Sequence, residues 1–219
     1  MLSIPRLKLL ALVSTAAAAL TLLAPAALTQ DAPKDTPKDP PKTAKRGPPT
    51  PSLPKSAIER DRALGDLYAL LATAEDENTA KAIAEGIERI WVHSGSPTVD
   101  LLLGRAMKAA GEKNYDRAMK LLDNVVEQAP DFTEGWSRRA YVHFQRNELR
   151  YALGDLRRAL ALDPNHFKSL DGLAQILREI GQKKAALQVF RQLNEVHPYW
   201  GSTRQVIDEL TREVEGQGI

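Results

Sequence analysis

The sequence predicts an all-α protein built as a solenoid of helical hairpins. Two observations support this: positions 99–200 repeat with a fixed period of 34 residues, and each period holds two amphipathic helical stripes around a short polar break. Such a period is typical of solenoids, in which each hairpin buries its apolar face against its neighbours. We expect three contiguous units, at residues 99–132, 133–166 and 167–200.

Six columns keep their chemistry in all three units. The alanine columns let the two helices of a hairpin approach closely, and the proline column ends the second helix because proline lacks an amide donor. We expect these columns to pack the repeats together. In chain order they hold Leu102, Trp136 and Leu170; Ala106, Ala140 and Ala174; Ala118, Ala152 and Ala186; Leu122, Leu156 and Phe190; Val125, Ala159 and Leu193; and Pro130, Pro164 and Pro198.

These columns resemble the tetratricopeptide repeat family. The resemblance covers residues 99–200 and includes WSRRAYVHF at 136–144, NYDRA at 114–118 and LALDPNH at 160–166. It implies a right-handed solenoid of helical hairpins. The sequence departs from the family at Arg105 and Arg139, where a leucine is usual, and at His143, where a tyrosine or another large apolar residue is usual.

Both ends of the solenoid need a cover. Upstream, helical patterns at residues 58–71 and 80–91 predict that residues 56–98 form a degenerate repeat or N-terminal cap. Downstream, residues 201–219 predict a capping helix that Ser202 caps at its N-terminus. Its apolar face carries Val206, Ile207, Leu210 and Val214.

The N-terminal residues have the pattern of a secretory signal peptide. Arg6 and Lys8 precede an uncharged Leu/Ala-rich run at residues 9–23, and small residues follow at 24–27. We expect residues 1–26 to be removed by cleavage after Ala26. The alternative is an uncleaved membrane anchor, because residues 9–28 are just long enough to span a bilayer.

Residues 27–55 are expected to form a disordered linker. The stretch QDAPKDTPKDPPKTAKRGPPTPSLPK at 30–55 contains eight prolines and almost no large apolar residue, so it has nothing to bury. We interpret it as a spacer. Two alternatives are that its basic residues bind an anionic surface and that its prolines are themselves a ligand.

Charge and composition exclude several function classes. Residues 1–56 hold eight basic residues against three acidic ones, whereas residues 57–219 hold 22 against 25, which argues against a nucleic-acid partner. The chain has no cysteine, and its four histidines, His93, His143, His166 and His197, form no zinc pattern. We expect these histidines to be structural or solvated, and we expect no catalytic residue, no metal and no cofactor.

The family resemblance implies a concave groove lined by the first helix of each unit, and we expect this groove to bind a protein or peptide partner. The expected groove residues are Leu103, Met107, Arg138, Tyr141, Phe144, Lys168, Asp171, Gln175 and Arg178. Some relatives clamp the C-terminal carboxylate of chaperones with a set of Lys, Asn and Arg residues. Only Lys168 matches that set, so the resemblance does not extend to this function.

A second candidate surface is an arginine-rich stretch that could bind an acidic partner or an anionic lipid face. It contains Arg138, Arg139, Arg146, Arg150, Arg157 and Arg158.

The sequence as a whole predicts a non-enzymatic scaffold exported to the periplasm. The alternatives are a self-associating structural protein and an envelope assembly factor anchored in the inner membrane and facing the periplasm.

Overall fold

The computed structural model describes residues 53–54 and 56–216, and within them the fold is all-helical, as predicted. The expected leader at 1–26 and the expected linker at 27–55, apart from Leu53 and Pro54, lie outside the described residues. The helices of the described part are α1 (Ala57–Ala72), α2 (Glu77–Trp91), α3 (Pro97–Gly111), α4 (Tyr115–Gln128), α5 (Thr133–Gln145), α6 (Leu149–Leu162), α7 (Phe167–Glu179), α8 (Lys183–Val196) and α9 (Thr203–Glu215).

Each repeat is a hairpin with the same turn. Lys113, Asn147 and Gly181 stand 34 residues apart, between the two helices of each hairpin, and all three have positive φ angles of 58°, 61° and 78°. The amide after each of them donates to the carbonyl five residues earlier, at 2.8–2.9 Å. This left-handed ending satisfies the last carbonyls of the first helix and reverses the chain.

The proline column ends the second helix of each hairpin. The helices α4, α6 and α8 end two residues before Pro130, Pro164 and Pro198, respectively. Pro130 and Pro164 are exposed and Pro198 is half-buried, so these residues act as helix stops and contribute little packing. This corrects their expected role as packing residues.

The alanine columns form the seams between helices. All six alanines, Ala106, Ala118, Ala140, Ala152, Ala174 and Ala186, are buried. Leu170 is also buried, whereas Leu102 and Trp136 in the same column are only half-buried. A buried methyl group at these positions lets the helices approach, and a larger side chain would overpack the seam.

The helix α9 covers the C-terminal end of the array. Val206 and Leu210 are buried where α9 packs on α8. Ser202 occupies the N-cap position, but its side chain makes no capping hydrogen bond. Instead, the Thr203 hydroxyl donates to the Trp200 carbonyl at 2.6 Å, which anchors the first turn.

The helices α1 and α2 do not cap the first repeat, in contrast to the prediction. Their buried residues share one core with α7, α8 and α9, and neither helix packs extensively on α3. The Tyr68 hydroxyl donates to Asp163 at 2.6 Å, and the Tyr199 hydroxyl donates to the Glu75 carbonyl at 2.7 Å. The pair therefore docks on the third repeat and on the loops that flank it.

The chemistry of α3 explains why the first repeat needs no cover. Val142 and Ile176, at equivalent positions in the second and third units, are buried against the preceding hairpin. The equivalent residue in the first unit is Lys108, whose side chain is 79% exposed. A charged side chain at the stacking position ends the array, because a terminal repeat requires a polar outer face.

Candidate functional site

An open groove of about 750 Å³ lies between α5 and α7, the first helices of the second and third units. Its floor includes Ala140, Gly172 and Ile176. A Cβ atom at Gly172 would lie 3.3 Å from the Leu156 side chain, so the glycine lets α7 approach α6 closely beneath the groove. The floor is therefore made of packed scaffold residues.

Seven of the nine expected groove residues line this groove. They are Arg138, Tyr141, Phe144, Lys168, Asp171, Gln175 and Arg178. Leu103 was placed wrongly, because it is only 1% exposed and belongs to the core of the first hairpin with Val99 and Ala106. Met107 is exposed on α3 but is not part of the groove.

Aromatic side chains form the apolar walls. Tyr141 and Phe144 lie one turn apart on α5 and are 48% and 38% exposed. Trp200, in the loop between α8 and α9, also lines the groove. Sequence reasoning missed Trp200 as a groove residue because it counted this position as the last of the third unit.

The two cations at one end of the groove are already paired within the protein. Arg138 donates through Nε to Glu134 at 2.6 Å, and Lys168 Nζ lies 2.7 Å from the Glu88 carboxylate. Glu88 belongs to α2, so the docked helix pair contributes directly to the charge of the groove. Neither cation is an uncompensated charge that waits for an acidic ligand.

Two carboxylates, those of Asp171 and Glu179, line the groove. Burial raises the pKa of Asp171, and hydrogen bonds from the side chains of Gln175 and Trp200 together with the charge of Arg178 only partly offset this. The Gln175 amide lies 3.4 Å from the Asp171 carboxylate, which is a long hydrogen bond. Asp171 is therefore a half-buried carboxylate that already has polar partners within the protein.

A buried polar network supports the end of the groove beneath Arg138. Glu134 and His166 are 1% and 0% exposed, and their side chains lie 3.1 Å apart. Because His166 Nδ1 accepts the backbone amide of Ser169, the proton sits on Nε2 and is donated to Glu134. Burial raises the pKa of Glu134, but the His166 hydrogen bond and the Arg138 charge outweigh it, so this pKa lies below its ordinary value of 4.5.

The set Ser169, His166 and Glu134 contains the residue types of a hydrolytic triad, but its geometry is structural. Ser169 is fully buried at the start of α7, and its hydroxyl lies 2.9 Å from the same His166 nitrogen that caps the helix. A nucleophile needs access to substrate, which this hydroxyl lacks. The network fixes the N-terminus of α7.

Three of the six arginines in the arginine-rich stretch, Arg138, Arg139 and Arg146, form ion pairs within the protein. Arg139 makes a bidentate pair with Asp155 at 2.7 and 2.8 Å and reaches Asp123 at 3.1 Å. Arg146 pairs with Asp116 and Glu148, and Arg158 lies over the Trp136 ring. The departures from the family at Arg139 and His143 therefore form an ion-pair network between α4, α5 and α6, in which His143 also bonds Glu148 at 2.7 Å.

Two further properties bear on function. Within residues 53–54 and 56–216, no cluster of His, Cys, Asp and Glu side chains could hold a metal ion. Across the same part of the chain, none of the helices combines the length and the apolar character that crossing a bilayer requires.

Comparison with known proteins agrees with this architecture. The family profile of the tetratricopeptide repeat matches residues 99–131 and 168–198. A TPR repeat-containing protein of Rhizobium etli is 31% identical over 153 residues, which cover 70% of this chain and 75% of that protein.

Two solved structures share the fold. The first TPR domain of Spaghetti (RPAP3), bound to the HSP90 peptide SRMEEVD, superposes with a TM-score of 0.52 and 16% identity, over 55% of this chain and 95% of that one. The Sgt2 TPR domain from Aspergillus fumigatus gives 0.51 and 20% identity, over 56% and 82%. The chain therefore belongs to the tetratricopeptide repeat family, as its repeat columns, its hairpin geometry and these relatives show.

Proposed function

We propose that this protein is a non-catalytic interaction module that binds an extended segment of a partner protein in the groove between α5 and α7. The observation that carries the proposal is the open groove of about 750 Å³, which exposes Tyr141 and Phe144 above a packed floor and is also lined by the half-buried Trp200. Exposed aromatic residues in a preformed concave site are the usual anchors of protein recognition. One structural neighbour was solved with a peptide bound, which supports a peptide as ligand.

The rigidity of the scaffold makes such a groove effective. The groove residues stand on helices whose seams are filled by buried alanines, and the N-terminus of α7 is fixed by His166 and Glu134. A pre-organised site spends little binding free energy on ordering its own side chains. Each aromatic anchor can therefore contribute most of its buried area to affinity.

The ligand differs from an acidic chaperone tail. A clamp for a terminal carboxylate needs cations with free charge, whereas Arg138 and Lys168 are occupied by Glu134 and Glu88. The groove instead offers aromatic faces, the amides of Gln145 and Gln175, and the carboxylates of Asp171 and Glu179 beside Arg178. These groups suit a segment with apolar side chains and backbone or side-chain N–H donors.

The place of action in this proposal is the periplasm. It is supported by the leader pattern at residues 1–26, after which the mature chain would begin at Ala27. Intact-mass measurement of the protein from a periplasmic extract tests this point. A mature mass that begins at Ala27 is the expected result, and a full-length mass in the membrane fraction would instead indicate a retained anchor.

Affinity capture tests the groove with matched variants. The mature chain from Ala27 is compared with a Tyr141→Ala/Phe144→Ala variant and with a Tyr151→Ala control, whose tyrosine is 65% exposed away from the groove. Circular dichroism confirms equal helicity. A partner retained by the wild type and the control but lost from the groove variant supports the proposal, and a partner retained equally by all three contradicts it.

A further inference from the structure

The exposed face of α6 carries positive charge and no negative charge. Across Leu149–Leu162, every residue of which the structure describes, the exposed residues are three arginines, one tyrosine and two small residues. They are Arg150, Tyr151, Gly154, Arg157, Arg158 and Ala161. The acidic residue of this helix, Asp155, is buried and paired with Arg139. The helix therefore presents only cations and uncharged groups to the solvent.

The helix α8 extends this surface. The cations at positions 150 and 157 recur 34 residues later as Lys184 and Arg191, which are also exposed. The Gln192 side-chain amide of α8 donates to the Pro164 carbonyl at 3.2 Å, so the exposed side of α8 adjoins the end of α6. We call the exposed cations of these two helices the basic face; its members are Arg150, Arg157, Arg158, Lys184 and Arg191.

Three members of the basic face lack an internal counter-charge. Arg150, Arg157 and Lys184 form no ion pair with any residue in the part of the chain that the structure describes. In the first repeat, the positions equivalent to 150 and 157 hold Asp116 and Asp123, and each of these pairs with an arginine. The first repeat is thus balanced at these positions, whereas the next two direct cations to the solvent.

The basic face is opposite in charge to the folded part as a whole. Residues 57–219 hold 25 acidic residues against 22 basic ones. At physiological salt, exposed charges separated by more than about 8 Å are largely screened from each other. An extended anionic surface therefore interacts with the face that is presented to it and not with the net charge. Such a surface would bind this protein in one orientation.

The shape of the basic face suits a lipid surface. Its cations stand on open helix faces, and a Cβ atom added at Gly154 would meet no atom within 4 Å. Protein partners are usually held by anchors in apolar pockets, whereas anionic headgroups need only cations that reach them. Tyr151, which is 65% exposed beside the arginines, adds an aromatic ring of the kind found at the headgroup level of bilayers.

From the charge, the exposure and the repeat spacing we infer that the basic face binds the surface of a bilayer that contains anionic phospholipids. The contact is peripheral and electrostatic. The basic face lies on the second helices of the hairpins, whereas the groove lies between the first helices α5 and α7. A chain bound to the bilayer therefore keeps its groove accessible, and the inference does not depend on what the groove binds.

Vesicle sedimentation with the mature chain from Ala27 tests the basic face. The vesicles contain phosphatidylcholine alone or mixed with phosphatidylglycerol. Each cation near an anionic bilayer strengthens binding about fivefold, so Arg150→Gln/Arg157→Gln/Lys184→Gln should weaken binding to the mixed vesicles at least about tenfold. High salt, or phosphatidylcholine alone, should abolish binding. The basic residues before position 56 are the same in every variant, so differences report the face.

A charge-matched control separates the basic face from net charge. Lys81→Gln/Arg105→Gln/Lys108→Gln removes three exposed cations from α2 and α3 and lowers the net charge by the same amount. It should change vesicle binding less than about twofold. Tyr141→Ala/Phe144→Ala should bind vesicles like the wild type, which separates this test from that of the groove. Equal losses in the two triple variants, or no binding by the wild type, overturn the inference.

A fluorescent label at either of two glycines tests the orientation. The chain has no cysteine, so Gly154→Cys and Gly104→Cys each provide one attachment site. Both glycines lie within helices where an added Cβ meets no atom within 4 Å, but Gly154 lies among the arginines of α6 and Gly104 on α3. Anionic vesicles should shift the emission of the label at 154 and leave that at 104 unchanged. Equal shifts, or a shift at 104 alone, contradict the inference.

Competition with soluble polyglutamate tests whether an acidic protein is the better ligand. Polyglutamate is added at a carboxylate concentration equal to that of the phosphatidylglycerol. Most of the chain should stay on the vesicles, because the bilayer also accepts the ring of Tyr151. Complete displacement would show that a soluble acidic polymer is preferred and would overturn the assignment of a bilayer.

Discussion

Trp91 lies against His166, with ring centroids 3.7 Å apart and ring planes inclined by 24°. The indole N–H also donates to the Tyr68 hydroxyl at 3.0 Å, and that hydroxyl donates to Asp163. The contact joins α2 to the loop that starts the third repeat. It connects the N-terminal pair to the network of His166 and Glu134 below the groove.

Removing Trp91 should undock the helix pair. Trp91 is 4% exposed, and a Trp→Ala change in such a site costs about 3–5 kcal/mol. Hydrogen exchange should therefore accelerate across residues 57–91 more than across α3 to α6. Trp136→Ala, at a half-buried site, is the control and should leave exchange in α1 and α2 unchanged. Uniform acceleration along the whole chain would contradict separate docking.

Acid should weaken the network through Glu134. Since the pKa of Glu134 is lowered in the folded state, its stabilisation is fully present above the ordinary value of 4.5 and is lost as the pH falls through the folded-state pKa. Glu134→Gln should cost about 2 kcal/mol at pH 7 and should flatten the loss of stability below pH 4.5. Urea unfolding of both chains between pH 7 and 3 measures this, and parallel pH profiles would exclude Glu134 as the cause.

The ion pair between Arg139 and Asp155 should be important for stability. Arg139 stands where the family usually has a leucine. Asp155 has an 8% exposed side chain and depends on the bidentate contact from Arg139. Arg139→Leu restores the residue usual in the family but leaves this carboxylate with only the His143 side chain, 3.7 Å away, at a cost of about 3 kcal/mol in unfolding free energy. Asp123→Asn removes only the exposed end of the network and should cost less than about 0.5 kcal/mol. A stabilising Arg139→Leu would refute this account.

The turn between the two helices of each hairpin predicts changes of opposite sign in the free energy of unfolding for variants at Lys113 and Gly181. Lys113 has a φ of 58°, a conformation that is costly for residues with a Cβ, whereas Gly181 adopts the equivalent turn with a φ of 78°. Lys113→Gly should raise the free energy of unfolding by about 0.5–1 kcal/mol, and Gly181→Ala should lower it by about 1 kcal/mol. Thermal unfolding of both variants checks the signs, and equal shifts in the same direction would disprove the argument.

The 34-residue columns were sufficient to predict the three hairpins, because the apolar columns report contacts within or between hairpins and the proline column reports where each second helix ends. The docking of α1 and α2 could not be predicted in this way. It depends on Tyr68 and Trp91 meeting Asp163 and His166, which are distant in sequence and belong to no repeated pattern.

The groove was predictable in part for a similar reason. The family resemblance placed Tyr141, Phe144 and Gln175 in the groove, and the structure brings them together. Leu103 occupies the position equivalent to Ser137 and Asp171, but an apolar side chain at this place turns into the core of the first hairpin. Trp200 enters the groove from a loop, whose path no helical period specifies.

Photo-crosslinking in the native host tests the central claim most directly. A photoreactive phenylalanine is placed at Tyr141 in the groove or at Tyr151 outside it, two exposed positions on neighbouring helices. The account predicts a discrete covalent adduct with a protein segment from position 141 and none from 151. Adducts of equal yield from both positions, or from 151 alone, would contradict the assignment of the groove as the binding site.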